Sequence, residues 1–308
     1  MITAEHLTKR FGAKTAVDDV SFTVQPGKVT GFLGPNGAGK STTMRMIVGL
    51  DRPTAGAVTV NGSRYAAMRA PLREVGVLLD AKAVHTGRTA RNHLRAMAAT
   101  HGIPSRRVDE VIELAGIASV ARKRAGKFSL GMGQRLGIAA ALLGDPQTLI
   151  LDEPVNGLDP EGVRWVRQFV RRAAGEGRTV LLSSHLMSEM SQTADRVIVL
   201  GRGKVLADAP LDELVRSWTV ATTRVRSPRV AEVVSLVAGS SVTVTATAPD
   251  TVEISGVPAA RVGDLAAEHG IPLHELTPTT GSLEDAYLAL TEQSVEYASA
   301  DYPTGDIS

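Results

Sequence analysis

The sequence predicts an α/β fold with an inserted helical subdomain, followed by a smaller α+β domain. Three observations predict it. A short apolar strand runs into a glycine turn and a helix over residues 29–49; a second apolar strand ends in two adjacent acids at 152 and 153; and after residue 218 short apolar segments follow in the order β-α-β-β-α-β.

The first element is a buried strand marked by Val29, Phe32 and Leu33. It leads into Gly34-Pro35-Asn36-Gly37-Ala38-Gly39-Lys40-Ser41, which fits the phosphate-loop pattern G-x-x-x-x-G-K-[ST], and then into a helix over 42–49 carrying Met44, Ile47 and Val48. Glycines let successive backbone N–H groups turn inward around a phosphate, and the helix N-terminus adds partial positive charge. Lys40 is then placed to reach the β- and γ-phosphates of a nucleotide. Ser41 is placed to give its hydroxyl to Mg²⁺, with Thr42 closing the loop.

The next strand is Val75-Gly76-Val77-Leu78-Leu79, followed by Asp80. From 88 to 126 the apolar positions change to helical spacing, with Leu94 and Met97 on one segment and Val108, Val111, Ile112 and Ala115 on the next. His85, His93 and His101 lie eight apart, unlike the i, i+4 pair of a helical metal site, and are read as surface residues; so is the run Arg122-Lys123-Arg124. Ser129 then reads as the N-cap of a helix bearing Leu136, Ala139, Ala140 and Leu143 on one face; its hydroxyl and the N–H groups near Gly131 form a second anion grip.

The strand over 148–151 ends in Asp152-Glu153-Pro154, and side-chain alternation sends the two carboxylates to different tasks. Asp152 fits the metal, on a strand expected to neighbour the phosphate loop. Glu153 fits the general base that deprotonates an attacking water. A further strand over 179–182 delivers Ser183, Ser184 and His185 at its carboxyl end, where open α/β sheets bind ligands; His185 is a candidate γ-phosphate contact. The expected ligands are therefore ATP and Mg²⁺.

Composition removes other classes. The 308 residues contain no cysteine, which excludes disulfides, thiolate metal sites and cysteine nucleophiles. Thirty-four basic and 32 acidic residues, net +2, are interspersed rather than striped, so no nucleic-acid partner is expected. The longest apolar tract, 136–143, is too short to span a bilayer, and 1–10 lacks the apolar core of a secretion signal, so residence in the cytoplasm is expected.

Taken in order, these motifs resemble the ATP-binding cassette (ABC) family of ATPases over residues 1–218. Phe128-Ser129-Leu130-Gly131-Met132-Gly133-Gln134-Arg135 is similar to the family's Leu-Ser-Gly-Gly-Gln signature, matching at Ser129 and Gly131. The resemblance implies that Phe11 stacks on adenine, with a core phenylalanine as the alternative, that Asn156-Gly157-Leu158-Asp159 is a D-loop, and that His185 is the switch histidine. It also implies a helical subdomain at about 86–135 and docking of the 80–88 loop on a membrane partner. Finally, it implies a sandwich in which Ser129 and Gly131 of one chain complete the Lys40 site of another, a homodimer or a pair with a homologous chain. Two positions depart from the pattern. Asp80 stands where the family usually has glutamine, leaving a candidate metal ligand that carries extra negative charge. Leu130 and Met132 resemble the signature variant of antibiotic and multidrug exporter ATPases. The function implied is the ATP-hydrolysing subunit of an exporter at the cytoplasmic face of the membrane, driving a separate integral-membrane permease. The alternative is a soluble ABC-type ATPase of translation or DNA maintenance, although neither a second cassette nor a long heptad insert is present.

Beyond 218 the reading is strand 220–225, helix 230–237, strands 242–247 and 252–254, helix 259–269 and strand 273–276, a ferredoxin-like order with a turn at Pro249-Asp250. Ser282 and Asp285 are expected to cap a last helix reaching Leu290, within an accessory domain over 219–293, and 294–308 is expected to be a disordered tail. Packing, dimer support or small-ligand regulation are the roles open to this domain.

Overall fold

The computed structural model describes residues 1–81, 83–219, 221–279 and 281–291. The expected tail from 294, and Val220 at the expected start of the accessory domain's first strand, lie outside them. The chain divides into two compact units, one built from Met1–Leu211 and one from Asp212–Leu290.

The first unit has two sheets. Strands β1 (Ile2–Phe11), β2 (Lys14–Val24) and β4 (Ala55–Val60) form an antiparallel sheet in the order β2-β1-β4. Strands β3 (Val29–Leu33), β5 (Val75–Leu78), β6 (Thr148–Leu151), β7 (Thr179–Ser183), β8 (Arg196–Gly201) and β9 (Lys204–Pro210) form the second, in the order β5-β6-β7-β3-β8-β9. Its first five members are parallel and β9 is antiparallel to β8. Every residue of β3, β6 and β7 is buried, as expected of strands covered on both faces. The core fills the space between the two sheets, where Ile2, Val17, Met44, Ile150 and Ile198 pack together and the rings of Phe22 and Phe32 lie 5.5 Å apart.

Helix α1 (Lys40–Ile47) follows β3, beginning and ending two residues earlier than its sequence suggests, and the short α2 (Pro71–Glu74) precedes β5. The inserted region holds α3 (Ala90–Thr100), capped by Thr89, and α4 (Ser105–Leu114), which buries Val108, Val111 and Ile112. Helix α5 (Leu130–Leu142) packs on β5 across Gly137, where a Cβ would sit 2.5 Å from Leu78 Cδ1. Helices α6 (Pro160–Gly175) and α7 (Met187–Thr193) complete the first unit, and α8 (Leu211–Trp218) opens the second.

In the second unit, β10 (Thr222–Arg226), β11 (Thr243–Ala248), β12 (Thr251–Ser255) and β13 (Glu275–Thr279) pair antiparallel in the order β11-β12-β10-β13. With α9 (Val230–Val237) and α10 (Ala259–Glu268) this is the ferredoxin-like topology, closed over Val225, Val233, Ile254 and Val262. Strand β13 lies two residues later than expected, since the Arg226↔Glu275 pairing, rather than the apolar pair Leu273 and Leu276, sets its start. Helix α11 (Leu283–Thr291) opens with a reciprocal cap: Ser282 Oγ accepts from the Asp285 N–H at 3.1 Å, and Asp285 Oδ2 accepts from the Ser282 N–H at 2.8 Å. The Ser282 N–H and then the Ser282 hydroxyl, which donates to the same oxygen at 2.7 Å, hold the Asp285 carboxyl below its usual pKa, so their contribution is present above that range and is lost as pH falls through it.

Candidate functional site

The carboxyl ends of β3, β6 and β7 converge on one edge of the large sheet. There Gly34 has φ +155° and a Cβ would lie 2.6 Å from Leu200 O, while Gly39 has φ +103° and a Cβ would lie 2.6 Å from Ala16 O. Both positions therefore require glycine, and between them the chain wraps tightly enough for Ala38 N–H to donate to Pro35 O at 3.1 Å. Lys40 folds back over the loop, its Nζ donating to the carbonyls of Gly34 at 2.6 Å and Pro35 at 3.2 Å. Burial lowers the pKa of its ammonium, opposed by the charges of Glu153 and then Asp152. Asn36 to Thr42 line a cleft of about 330 Å³ that Phe11, Lys14 and Ala16 close on the other side. Phe11 is 51% exposed, with Lys9 Nζ 4.9 Å from its ring centroid, which rejects the core alternative.

The two acids diverge as their alternation suggests. Ser41 Oγ donates to Asp152 Oδ2 at 2.9 Å, and the Ser183 hydroxyl donates to Asp152 Oδ1. Glu153 turns the other way through a left-handed backbone, φ +50°, and its Oε2 lies 2.7 Å from His185 Nδ1, with the His185 N–H donating to the same oxygen at 3.3 Å. A non-glycine residue held at positive φ persists only when its surroundings fix it. Two residues do so here: Ser183 Oγ accepts from the Glu153 N–H at 2.9 Å, and Gln134 Nε2 donates to the Glu153 carbonyl at 3.0 Å.

That bracing corrects one expectation. The acid-bearing strand β6 does not neighbour β3: β7 lies between them, and Ser183 on β7 holds both acids at once. No role was read for Ser183 or Gln134 in the sequence; the available signal was a hydroxyl at a strand end. Ser183→Ala leaves the Glu153 N–H without this acceptor, a loss of about 1–3 kcal/mol if the group stays buried. The expected result is a lower melting temperature together with a lower kcat, measured on the purified chain.

Asp80 is exposed two residues beyond the end of β5, its carbonyl accepting from Ala83 N–H at 3.1 Å. Among the described residues no three His, Asp or Glu side chains form a metal cluster. The donor set of Ser41 hydroxyl and Asp152 carboxylate suits Mg²⁺, a hard cation that takes one or two carboxylates and completes its shell with water and phosphate oxygens.

Ser129 caps α5, accepting from Met132 N–H at 3.3 Å, yet neither it nor Gly131 lines the Lys40 cleft. Gly131 faces the 156–159 segment instead: a Cβ at Gly131 would be 3.0 Å from Gly157 O, and Leu130 packs over Gly157. Asp159 serves as the N-cap of α6, accepting from Gly162 N–H at 2.8 Å. The histidines differ from a uniform surface set. His85 is exposed and His101 half-buried; His93 is half-buried beside the inward residues Ala90 and Leu94, its Nδ1 has no hydrogen-bond partner, and burial, then Arg88 and His85, lower its pKa. Arg122, Lys123 and Arg124 are exposed, as read from the sequence.

A family model described as ABC transporter matches residues 17–156, and one described as a domain of unknown function matches 221–284. The bacitracin transport ATP-binding protein BcrA of Bacillus licheniformis is 42% identical over 217 residues, covering 70% of this chain and 71% of that protein. A solved structure of an ATP-binding subunit of an ABC transporter superposes with a TM-score of 0.64 at 29% identity, over 70% of this chain and 92% of its own. The uncharacterized ABC transporter ATP-binding protein YhcH of Bacillus subtilis (strain 168) is 34% identical across 95% of this chain and 96% of its own length. Phosphate loop, paired acids and similarity along nearly the whole sequence agree: the chain belongs to the ATP-binding subunits of ABC transporters.

Proposed function

We propose that this chain hydrolyses ATP to drive export through a separate integral-membrane permease, working at the cytoplasmic face of the membrane. The observation that carries the chemistry is the Ser41–Asp152–Ser183–Glu153–His185 chain of hydrogen bonds beside Lys40. In it Lys40 and the loop amides bind the phosphates, and Ser41 and Asp152 would hold Mg²⁺, which neutralises phosphate charge when bound. Asp80 is a further candidate ligand. Glu153 takes the proton of the attacking water, and His185, sharing that carboxylate, contacts the γ-phosphate. Phe11 stacks on the adenine.

Export is supported by the 42% identical relative named for bacitracin transport; that similarity favours transport over a role in translation or DNA maintenance. No helix among the described residues is long and apolar enough to cross a membrane, so the pathway for cargo is assigned to a partner. The partner then selects the cargo. Co-purification from detergent-solubilised membranes with a protein of several apolar spans is the expected result; recovery of the chain with ribosomes or DNA and no such protein would reject the export assignment.

Two copies act together in this reading, because the chain has one set of motifs and its own Ser129 and Gly131 lie outside its Lys40 cleft. Phe11→Ala is expected to weaken ATP binding at least about fivefold and up to about a hundredfold, in line with roughly 1–3 kcal/mol for a base–aromatic stack, while leaving affinity for inorganic triphosphate unchanged. Calorimetry with the two ligands checks it.

A further inference from the structure

The first unit carries a second cleft, of about 250 Å³, on a side of the molecule that none of the nucleotide residues lines. Its walls come from elements far apart in sequence: Leu114 on α4, Leu142 at the end of α5, and Trp165 and Phe169 on α6. The two rings are stacked, centroids 6.0 Å apart and 15° from parallel, and the Arg135 guanidinium lies 4.7 Å from the indole centroid, so the aromatic wall is fixed in orientation.

Three arginines join this wall: Arg107, Arg172 and Arg178. Two of them are already neutralised. Arg107 Nη2 is 3.3 Å and Arg178 Nη2 2.9 Å from Asp145 Oδ1, and Arg178 also reaches Glu176 Oε2 at 3.4 Å. Arg172, exposed and one turn beyond Phe169 on α6, has no carboxylate partner among the described residues. The result is a half-apolar, aromatic-walled cleft with one uncompensated guanidinium, a group suited to a carboxylate or sulfonate.

From this arrangement we infer that the cleft binds an aromatic monoanion, a ring system of about two fused rings bearing one acidic group. The ring lies against Leu114, Leu142 and the Trp165–Phe169 pair, and the acid pairs with Arg172. A molecule seated there touches α4 of the helical insert and α6, the helix whose N-cap Asp159 ends the segment packed on Leu130 and Gly131. The cleft is thus placed to read the position of the insert against the sheet-bearing part of the same unit.

The chain has two tryptophans, so in a Trp218→Phe background Trp165 gives the only indole N–H signal in an NMR spectrum. Titration of the full-length chain with 2-naphthoate is expected to shift that signal saturably at submillimolar concentration, with no competition from Mg-ATP. Arg172→Gln and Arg172→Glu, and the neutral probe 2-naphthalenemethanol, are each expected to weaken binding about tenfold or more. An unaltered Trp165 signal in the unliganded variants shows that the cleft is intact. Absence of saturation, equal affinity for the neutral probe, unchanged binding by both Arg172 variants, or displacement by Mg-ATP would each overturn the assignment.

Discussion

Glu153→Gln is expected to bind Mg-ATP within about threefold of the unaltered chain and to hydrolyse it at least a hundredfold more slowly, since a general base contributes roughly 10²–10⁴ in rate. The geometry predicts the separation. In the proposed mechanism binding rests on Lys40, the loop amides, Ser41 and Asp152, none of which is hydrogen-bonded to the Glu153 carboxylate. The backbone of residue 153 keeps its two braces, the Ser183 hydroxyl and the Gln134 amide, because both engage main-chain atoms. What disappears is a group able to accept a proton. The amide can still pair with His185, so the site keeps its shape and the loss falls on kcat. Trapped nucleotide should then hold two copies together, and size-exclusion chromatography with ATP is expected to show a dimer that the unaltered chain forms only transiently. Turnover within tenfold of normal would remove Glu153 from the role of base.

His185→Ala separates the two members of that pair. Its Nδ1 and N–H both address Glu153 Oε2, so losing the ring leaves the carboxylate in place but less well oriented. A smaller fall in kcat than in Glu153→Gln follows if His185 positions and Glu153 accepts the proton.

How much of this was legible in the sequence depended on whether local pattern and final environment agreed. Strands β3, β6 and β7 are buried on both faces, and unbroken apolar runs such as Thr148-Leu149-Ile150-Leu151 announce that directly. The antiparallel sheet of β1, β2 and β4 gave no such run. Its alternation is broken where β1 shifts register between Ala4 and Leu7, with His6 at φ +51°, and again before Lys9, so inward residues fall out of step with a period of two. The grouping of Lys40, Ser41, Asp152 and Glu153 at one site was legible residue by residue, because a spaced motif names its members. Ser183 and Gln134 were not, since their value comes only from lying beside Glu153 in three dimensions. Likewise nothing in the sequence indicated that β7 separates β6 from β3, an order that makes Ser183 the bridge.

Lys40→Ala should abolish detectable nucleotide binding at micromolar concentrations, a fall of about a hundredfold or more, as truncating one partner of a buried charged pair costs roughly 2–5 kcal/mol. In the free chain the ammonium is half-buried and satisfied by the carbonyls of Gly34 and Pro35, two neutral acceptors. Burial lowers its pKa, so the positive charge is held at a cost that Glu153 and Asp152 offset only in part. A triphosphate in the cleft supplies the missing negative charge and raises that pKa again. Binding and protonation are therefore linked, and the sign is fixed. Between the depressed pKa of the free chain and the higher one of the complex, binding must take up a proton, and affinity declines as pH rises; below that window Lys40 is charged in both states and its contribution no longer varies with pH. Calorimetry across neutral to alkaline pH, in two buffers of different ionisation enthalpy, should detect proton uptake in the unaltered chain and none in Lys40→Met, which keeps the aliphatic stem. Equal affinity and equal proton uptake in the two proteins would show that the phosphates are held elsewhere, whatever the loop's glycines permit.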